Sequence, residues 1–438
     1  SSSGINMVNV DPESYIYSSV INSSGGAYTL LIQLSDMNFI NCGINGGDIG
    51  IFCTSSNLKV YGSSINGFNR YGIYMEDSSI ELNETHVSGG EICIVLKDSN
   101  IYGSDIWVEG TSLYGAYLED SCANITSFHA RNISTYAITL FEHSSSKIHD
   151  LNITACDKGI YINSSELELN GGYVSVQTYG LTLVNGSAYN ISNLRLQDCG
   201  YGIISDLSKG FISNSSIIGF SYEGIYAEYS DLSIYNVEIS GEKHGIYALD
   251  SMLLIDRCYI YANNNDGIYA NGCNIHITNH TALLQNNDNG LELEWSTVSI
   301  ENSSIIMNKK GLESRHSTIF LNFTEFKDSG FKDMLLMDST TMSSYGSVFD
   351  PEDCYIESNS SVYIYWWVCI SVKDPMDRGI PNASILIVSQ SGNFSTNAIT
   401  NDSGISPRVW ILQRVMMDIS GNMLDNDLNP YNISVSYG

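Results

Sequence analysis

Glu292 and Glu313 lie 21 residues apart, each closing a Gly-Leu-Glu triplet. If residues at that spacing stack at the ~5 Å separation of neighbouring strands, the two carboxyls stand as far apart as those of a retaining glycosidase. Glu294, Arg315 and His316 follow closely. Any acidic row on such a stack meets the same geometry, so a solvated or ion-bridged row is the reading to prefer over catalysis. Asn263-Asn-Asn-Asp266 and Asn286-Asn-Asp-Asn289 offer hard oxygen donors of the kind calcium takes, with Asp266 and Asp288 as the carboxylates. Neither run has the EF-hand spacing, and Asn/Asp runs are also common in turns.

Phe52, Tyr74, Tyr117, Tyr161, Tyr226, Tyr247 and Tyr269 share one phase, two residues past a recurring Gly position. An outward aromatic row can stack sugar rings or bury itself against a neighbouring subunit. Stacking within the chain is the simpler expectation. Ten cysteines contain no CxxC pair, so the usual zinc spacing is absent. Pairings across turns stay open for Cys42 with Cys53 and for Cys354 with Cys369.

Seventeen Asn-x-Ser/Thr sequons point to export and N-linked glycans. Asn83, Asn170, Asn214, Asn236, Asn279, Asn302 and Asn322 recur 11 or 12 residues past the Gly position. They read as a ladder of stacked, engaged amides, which removes the sequons among them as acceptors. Asn22, Asn132, Asn152, Asn163, Asn185, Asn359, Asn382, Asn393, Asn401 and Asn432 lie off that phase and are the expected glycan carriers.

The chain sets 19 Lys plus Arg against 48 Asp plus Glu, a formal charge of -29. Such a surface repels nucleic acid, anionic headgroups and polyanionic glycans. The longest apolar stretch, Val362 to Val372, is far shorter than the ~20 residues that cross a bilayer. Ser-Ser-Ser-Gly at the start has no basic or apolar leader, so a processed, exported chain is expected.

What positions these residues is a repeat. The motif runs Gly50-Ile-Phe, Gly72-Ile-Tyr, Gly115-Ala-Tyr, Gly159-Ile-Tyr, Gly180-Leu-Thr and Gly202-Ile-Ile, then Gly224-Ile-Tyr, Gly245-Ile-Tyr, Gly267-Ile-Tyr, Gly290-Leu-Glu and Gly311-Leu-Glu. Cys93, Ala137 and Asp333 fill the gaps, and every step is 21, 22 or 23 residues. The residue after each reference position is aliphatic, from Ile51 and Ile73 to Leu312 and Met334. Alternation of faces then makes this an inward row on a short strand. Two further alternating segments complete each repeat, as in Ile80-Glu-Leu82 and His86-Val87. Three strands per repeat make one coil of a parallel β-helix. Six prolines fit a chain of unbroken ladders.

These motifs resemble the parallel β-helix repeats of NosD-like and pectate-lyase-like surface proteins, a family common in archaea. The expectation is an all-β chain: a cap over 1–27, a right-handed parallel β-helix of about 14 coils over 28–361, and a small β-sandwich over 362–438. That last module looks immunoglobulin-like or carboxypeptidase-regulatory-like. The resemblance implies an extracellular structural glycoprotein of a surface layer, sheath or filament that self-associates. The alternative is a secreted carbohydrate-active enzyme, lyase or glycoside hydrolase, or a glycan-binding adhesin. No cofactor beyond calcium and N-linked glycans is expected.

Overall fold

The computed structural model describes residues 4–11 and 14–437. It is an all-β, right-handed parallel β-solenoid of about sixteen turns with a small antiparallel sheet at its C-terminal end. The chain divides into two compact units, Ser1–Met252 and Leu253–Gly438.

In the first unit the Gly-Ile-Tyr strands stack in sequence order from Ile5–Val8 to Ile246–Leu249, every pair parallel. Register follows the repeat: Ile51 lies against Ile73, Ile73 against Ile94 and Ile94 against Ala116. All of these side chains are buried, which is why the aliphatic phase is invariant. The reference glycines have a steric cause. A Cβ on Gly50 would stand 2.6 Å from the Gly72 carbonyl oxygen, and one on Gly72 would stand 2.6 Å from that of Cys93. The second and third strands of each turn bury Leu58, Val60 and Ile65, then Ile80, Leu82 and Val87.

The corner after each first strand carries a ladder not anticipated above. Ser56 Oγ accepts from the Ser35 N–H at 3.0 Å, Ser78 from Ser56 at 3.1 Å, Ser99 from Ser78 at 3.1 Å and Ser121 from Ser99 at 3.1 Å. Each hydroxyl also donates to the carbonyl two residues before it, as Ser78 does to Glu76 at 2.7 Å. A buried corner N–H would otherwise lack a partner, at a cost of roughly 1–3 kcal/mol. The residue before each serine takes the left-handed turn, as at Asp77 (φ +50°) and Asp98 (φ +48°).

The described strands within 1–27, expected as a cap, follow the coil plan. Ile5–Val8, Ser14–Tyr17 and Val20–Ser23 pair in parallel with Tyr28–Gln33, Asp36–Ile40 and Gly43–Gly46, so they form a further coil. Its repeat is 25 residues long, from Gly4 to Thr29, and lacks the signature, which hid it.

The second unit continues the same plan with Ile268–Asn271, Asn289–Glu294, Lys310–Arg315, Lys332–Met337 and Cys354–Ile356. The boundary at 361/362 is blurred by one strand with two roles. Ser361–Val368 pairs in parallel with Thr341–Tyr345 of the last turn and antiparallel with Val409–Ile419. The solenoid edge at this end is therefore covered rather than left open. A separate three-stranded antiparallel sheet, Ser384–Ser389 between Ser395–Ile399 and Tyr431–Ser436, buries Ile385, Ile387 and Ala398 with Ile411.

Candidate functional site

In the second unit the strands Asn289–Glu294 and Lys310–Arg315 lie side by side, with Glu292 directly against Glu313. The expected stacking of the two carboxylates is present. Their surroundings differ sharply. Glu313 is 7% exposed and held on both oxygens, by Lys310 Nζ at 2.5 Å and by Arg315 Nη2 at 2.7 Å. Glu292 has only the Asn289 amide at 2.9 Å, while the Arg315 guanidinium stands off at 3.9 Å. Burial, then the negative charges of Asp266 and Glu313, push the Glu292 carboxyl up to about 7. A carboxyl pushed up in this way can hold a proton near neutrality. Arg315 also reaches Glu294 at 3.8 Å and Asp338 at 3.8 Å.

Lys310 is a participant absent from the sequence expectations, and Asn289 entered them only as the end of a calcium-type run. Both occupy the column just before the reference glycine, where the first unit mostly places tyrosine (Tyr71, Tyr114, Tyr179, Tyr201). That change of residue type was the available signal. His316 does not join the carboxylates: its ring stacks on Trp295, centroids 3.9 Å apart.

The Asn/Asp runs are used internally. Asn286 Oδ1 accepts from the Asn263 N–H at 3.1 Å and from its side-chain amide at 2.8 Å, and Asn308 Oδ1 accepts from the Asn286 N–H at 2.9 Å. The buried asparagine ladder is this one. Asp266 Oδ1 accepts from the Asn289 N–H at 2.9 Å, and Asp288 pairs with Lys309 at 3.1 Å and Lys310 at 3.6 Å. Among the described residues no three His, Cys, Asp or Glu side chains converge on a point that could hold a metal ion.

The ladder expected at Asn83, Asn170, Asn214, Asn236, Asn279, Asn302 and Asn322 is corrected. These residues are exposed or half-buried. They sit at the second corner, where Asn214 and Asn236 take the left-handed turn themselves (φ +47° and +51°) and point outward. Amide pairs do bond there, Asn236 Nδ2 donating to Asn214 Oδ1 at 2.8 Å and Asn193 Nδ2 to Asn170 Oδ1 at 2.7 Å, but in solvent. The argument against glycans at Asn83, Asn214, Asn279, Asn302 and Asn322 falls with it. Of the off-phase acceptors, Asn22, Asn132, Asn152, Asn185, Asn359, Asn382, Asn393, Asn401 and Asn432 are exposed and Asn163 is half-buried.

The aromatic row of the first unit is half-buried and self-stacked. Phe52 and Tyr74 lie 5.2 Å apart at 2°, and Tyr226 and Tyr247 5.7 Å apart at 8°. Tyr117 and Tyr161 each contact Phe141, which comes from a different column. In the second unit Tyr269 donates to Glu294 at 3.3 Å.

Both proposed disulfides are absent, and all ten cysteines are free thiols. Cys53 points into the core between Ile32 and Met75, and burial pushes its thiol up to about 11. Cys42 donates instead to the Ile40 carbonyl at 3.3 Å. Cys354 stands in the inward row against Met334, whereas Cys369 bonds to Ser406 in the antiparallel module.

The model of the right-handed beta helix region matches residues 179–349. No curated protein sequence matches the chain. Among solved structures, the chain is similar to the Vag8–C1 inhibitor complex (9% identity, 83% of this chain and 90% of that one, TM-score 0.45). It is also similar to a tailspike protein of Escherichia coli bacteriophage HK620 (10%, 99% and 85%, TM-score 0.40). A third likeness is to the A-module of the mannuronan C-5 epimerase AlgE6 of Azotobacter vinelandii (11%, 71% and 90%, TM-score 0.29). At such identities and scores these likenesses say nothing about activity.

Proposed function

We propose that the chain is a non-enzymatic structural glycoprotein of a cell envelope, in which the solenoid is a rigid, extracellular, self-associating element bearing N-linked glycans. One observation carries this reading. Backbone N–H groups at the buried corners are taken up by the serine and asparagine ladders, while sequon asparagines stand exposed around the outer faces. A chain so disposed presents sugar acceptors and commits its interior to stiffness. The test is glycopeptide mass spectrometry on protein from its native source, combined with electron microscopy of concentrated samples. Occupied sequons and ordered polymers are expected; bare asparagines and monomers at all concentrations would sink the reading.

A second reading, a carbohydrate-active enzyme or glycan-binding adhesin, is favoured by the contrast between Glu292 and Glu313. Calcium at Asp266 and Asp288 has less support, because both carboxylates already have partners.

A further inference from the structure

The first-strand sheet of the first unit has an outer column without charge. From Phe52 through Tyr117 and Tyr161 to Tyr247, ten successive turns place no charged side chain there, and each residue lies in register with the next. A second aromatic column, with Tyr71, Tyr114, Tyr136, Tyr179 and Tyr201, runs beside it. The two columns touch: Tyr71 and Tyr74 lie 5.6 Å apart, Tyr114 and Tyr117 5.9 Å, Tyr136 and Tyr161 5.1 Å. Lys158 interrupts the second column, and its ammonium lies over the Tyr136 and Tyr179 rings at 5.0 and 5.5 Å. Charges gather along the far border, two residues past the neutral column. There Lys97 meets Glu119 at 2.9 Å, and Glu228 accepts from the Tyr226 hydroxyl at 2.7 Å. Asn163 stands on that border too, half-buried, its side-chain oxygen accepting from Asn185 at 3.0 Å. An aromatic centre poor in charge inside a polar rim has the make-up of a protein interface. Because the rings already stack on one another, few rotamers remain to be frozen on docking.

We infer that this tyrosine face docks against the same face of a second copy of the chain; the inference rests on the self-association proposed above. Size fits the partner. The face runs about 43 Å along the stack and about 16 Å across it, or about 700 Å². A stable interface takes about 800 Å² from each side. Charge selects the partner. Each copy carries -29, so two copies repel wherever charged surfaces meet. The second strands of the same unit turn Lys59, Glu81, Lys147 and Glu168 outward, and the third strands Arg195 and Glu238. The neutral column is where two such chains approach at least cost. An anionic partner meets no cation on this face that lacks a ring or a carboxylate beside it. A patch that meets its own copy makes an isologous contact, which closes at two chains. The dimer requires Asn163, on the border, to carry no glycan.

The full chain is followed by sedimentation velocity from about 1 to about 200 µM, at about 0.05 and about 0.5 M NaCl. A dimer is expected, tightening about tenfold with salt as the repulsion between copies is screened. A contact held by ion pairs loosens instead. Tyr161→Glu and Tyr117→Glu, in the middle of the face, should each weaken the dimer at least thirtyfold, or about 2 kcal/mol. Tyr161→Phe, which keeps the ring, should retain it. Tyr102→Glu, 47% exposed on the second strands, should leave it unchanged. Circular dichroism and melting of each variant guard against misfolding. A dimer indifferent to both glutamates, or one that loosens with salt, overturns this face and leaves self-association through another surface. A glycan on Asn163 of the dimer overturns the face as well. Monomers at every concentration remove both the face and the self-association. Chitohexaose that binds a monomeric parent but not Tyr161→Glu hands the row to glycans and overturns the dimer.

Discussion

One outward column changes chemistry along the chain. Two residues past the reference position, the first unit places Phe52, Tyr74, Tyr117, Tyr161, Tyr226 and Tyr247 among Val95, Thr139, Thr182 and Ile204, while the second passes from Tyr269 to Glu292 and Glu313. The inward row beside it is the same in both, from Ile51 to Leu312, and fully buried. A solenoid thus decouples its faces: inner columns are bound by packing, and outer columns are free to change chemistry from turn to turn. The corners differ as well. Both units use hydroxyl ladders after the first strand, but among the described residues only the second adds a buried asparagine ladder, at Asn263, Asn286 and Asn308.

The largest effect should come from breaking that second ladder. Asn286→Leu removes four side-chain hydrogen bonds and strands the buried Asn263 N–H, so a loss of about 4 kcal/mol is expected in urea unfolding. Ser78→Ala, its counterpart in the first unit, should cost about 2 kcal/mol. Equal losses would erase the distinction between the ladders.

Glu313→Leu leaves Lys310 and Arg315 without their closest partner and should cost about 3 kcal/mol. Glu81 in the first unit pairs with Lys59 at 3.4 Å in solvent, and Glu81→Leu should cost less than about 1 kcal/mol. The contrast is sharpest at low salt and should persist at 0.5 M NaCl only for Glu313.

Glu292 supplies a pH signature that no aromatic of the first unit can. Its folded-state pKa, about 7, exceeds the ordinary 4.5, so the folded chain binds the extra proton between those values. The stability it lends is complete below pH 4.5 and is lost as pH rises through 7. Glu292→Gln, which mimics the protonated form, should match the parent at pH 4.5 and exceed it by about 2 kcal/mol at pH 8. A parent and variant that stay parallel across this range would show that the carboxyl titrates normally.

The smallest change concerns the aromatic column. Tyr74→Leu forfeits the stack on Phe52 and should cost about 1 kcal/mol. A much larger loss would mean that the row carries the first unit's stability rather than decorating it.

Much of this was legible beforehand. The aliphatic column fixed strand, face and register because a one-residue slip would turn every Ile outward. The pairing of Glu292 with Glu313 followed from the same count. The serine ladder was also written in the sequence, since Ser56, Ser78, Ser99 and Ser121 recur at one phase. It went unread because serine at a turn has an ordinary explanation. The asparagine phase was misassigned for a related reason: Asn214 and Asn236 satisfy a left-handed corner equally well facing out as facing in.

Sequence alone therefore determined the coil, its period and the inward rows, because burial of every second side chain leaves a periodic trace. It could not separate the roles of two glutamates in identical Gly-Leu-Glu contexts. Only the tertiary structure did so, by bringing Lys310 and Arg315 onto Glu313 and leaving Glu292 with an amide and buried negative neighbours. Charge and desolvation act through space: Glu313 is set by two cations on its own strand, and Glu292 by burial and by Asp266 and Glu313 from the turns on either side.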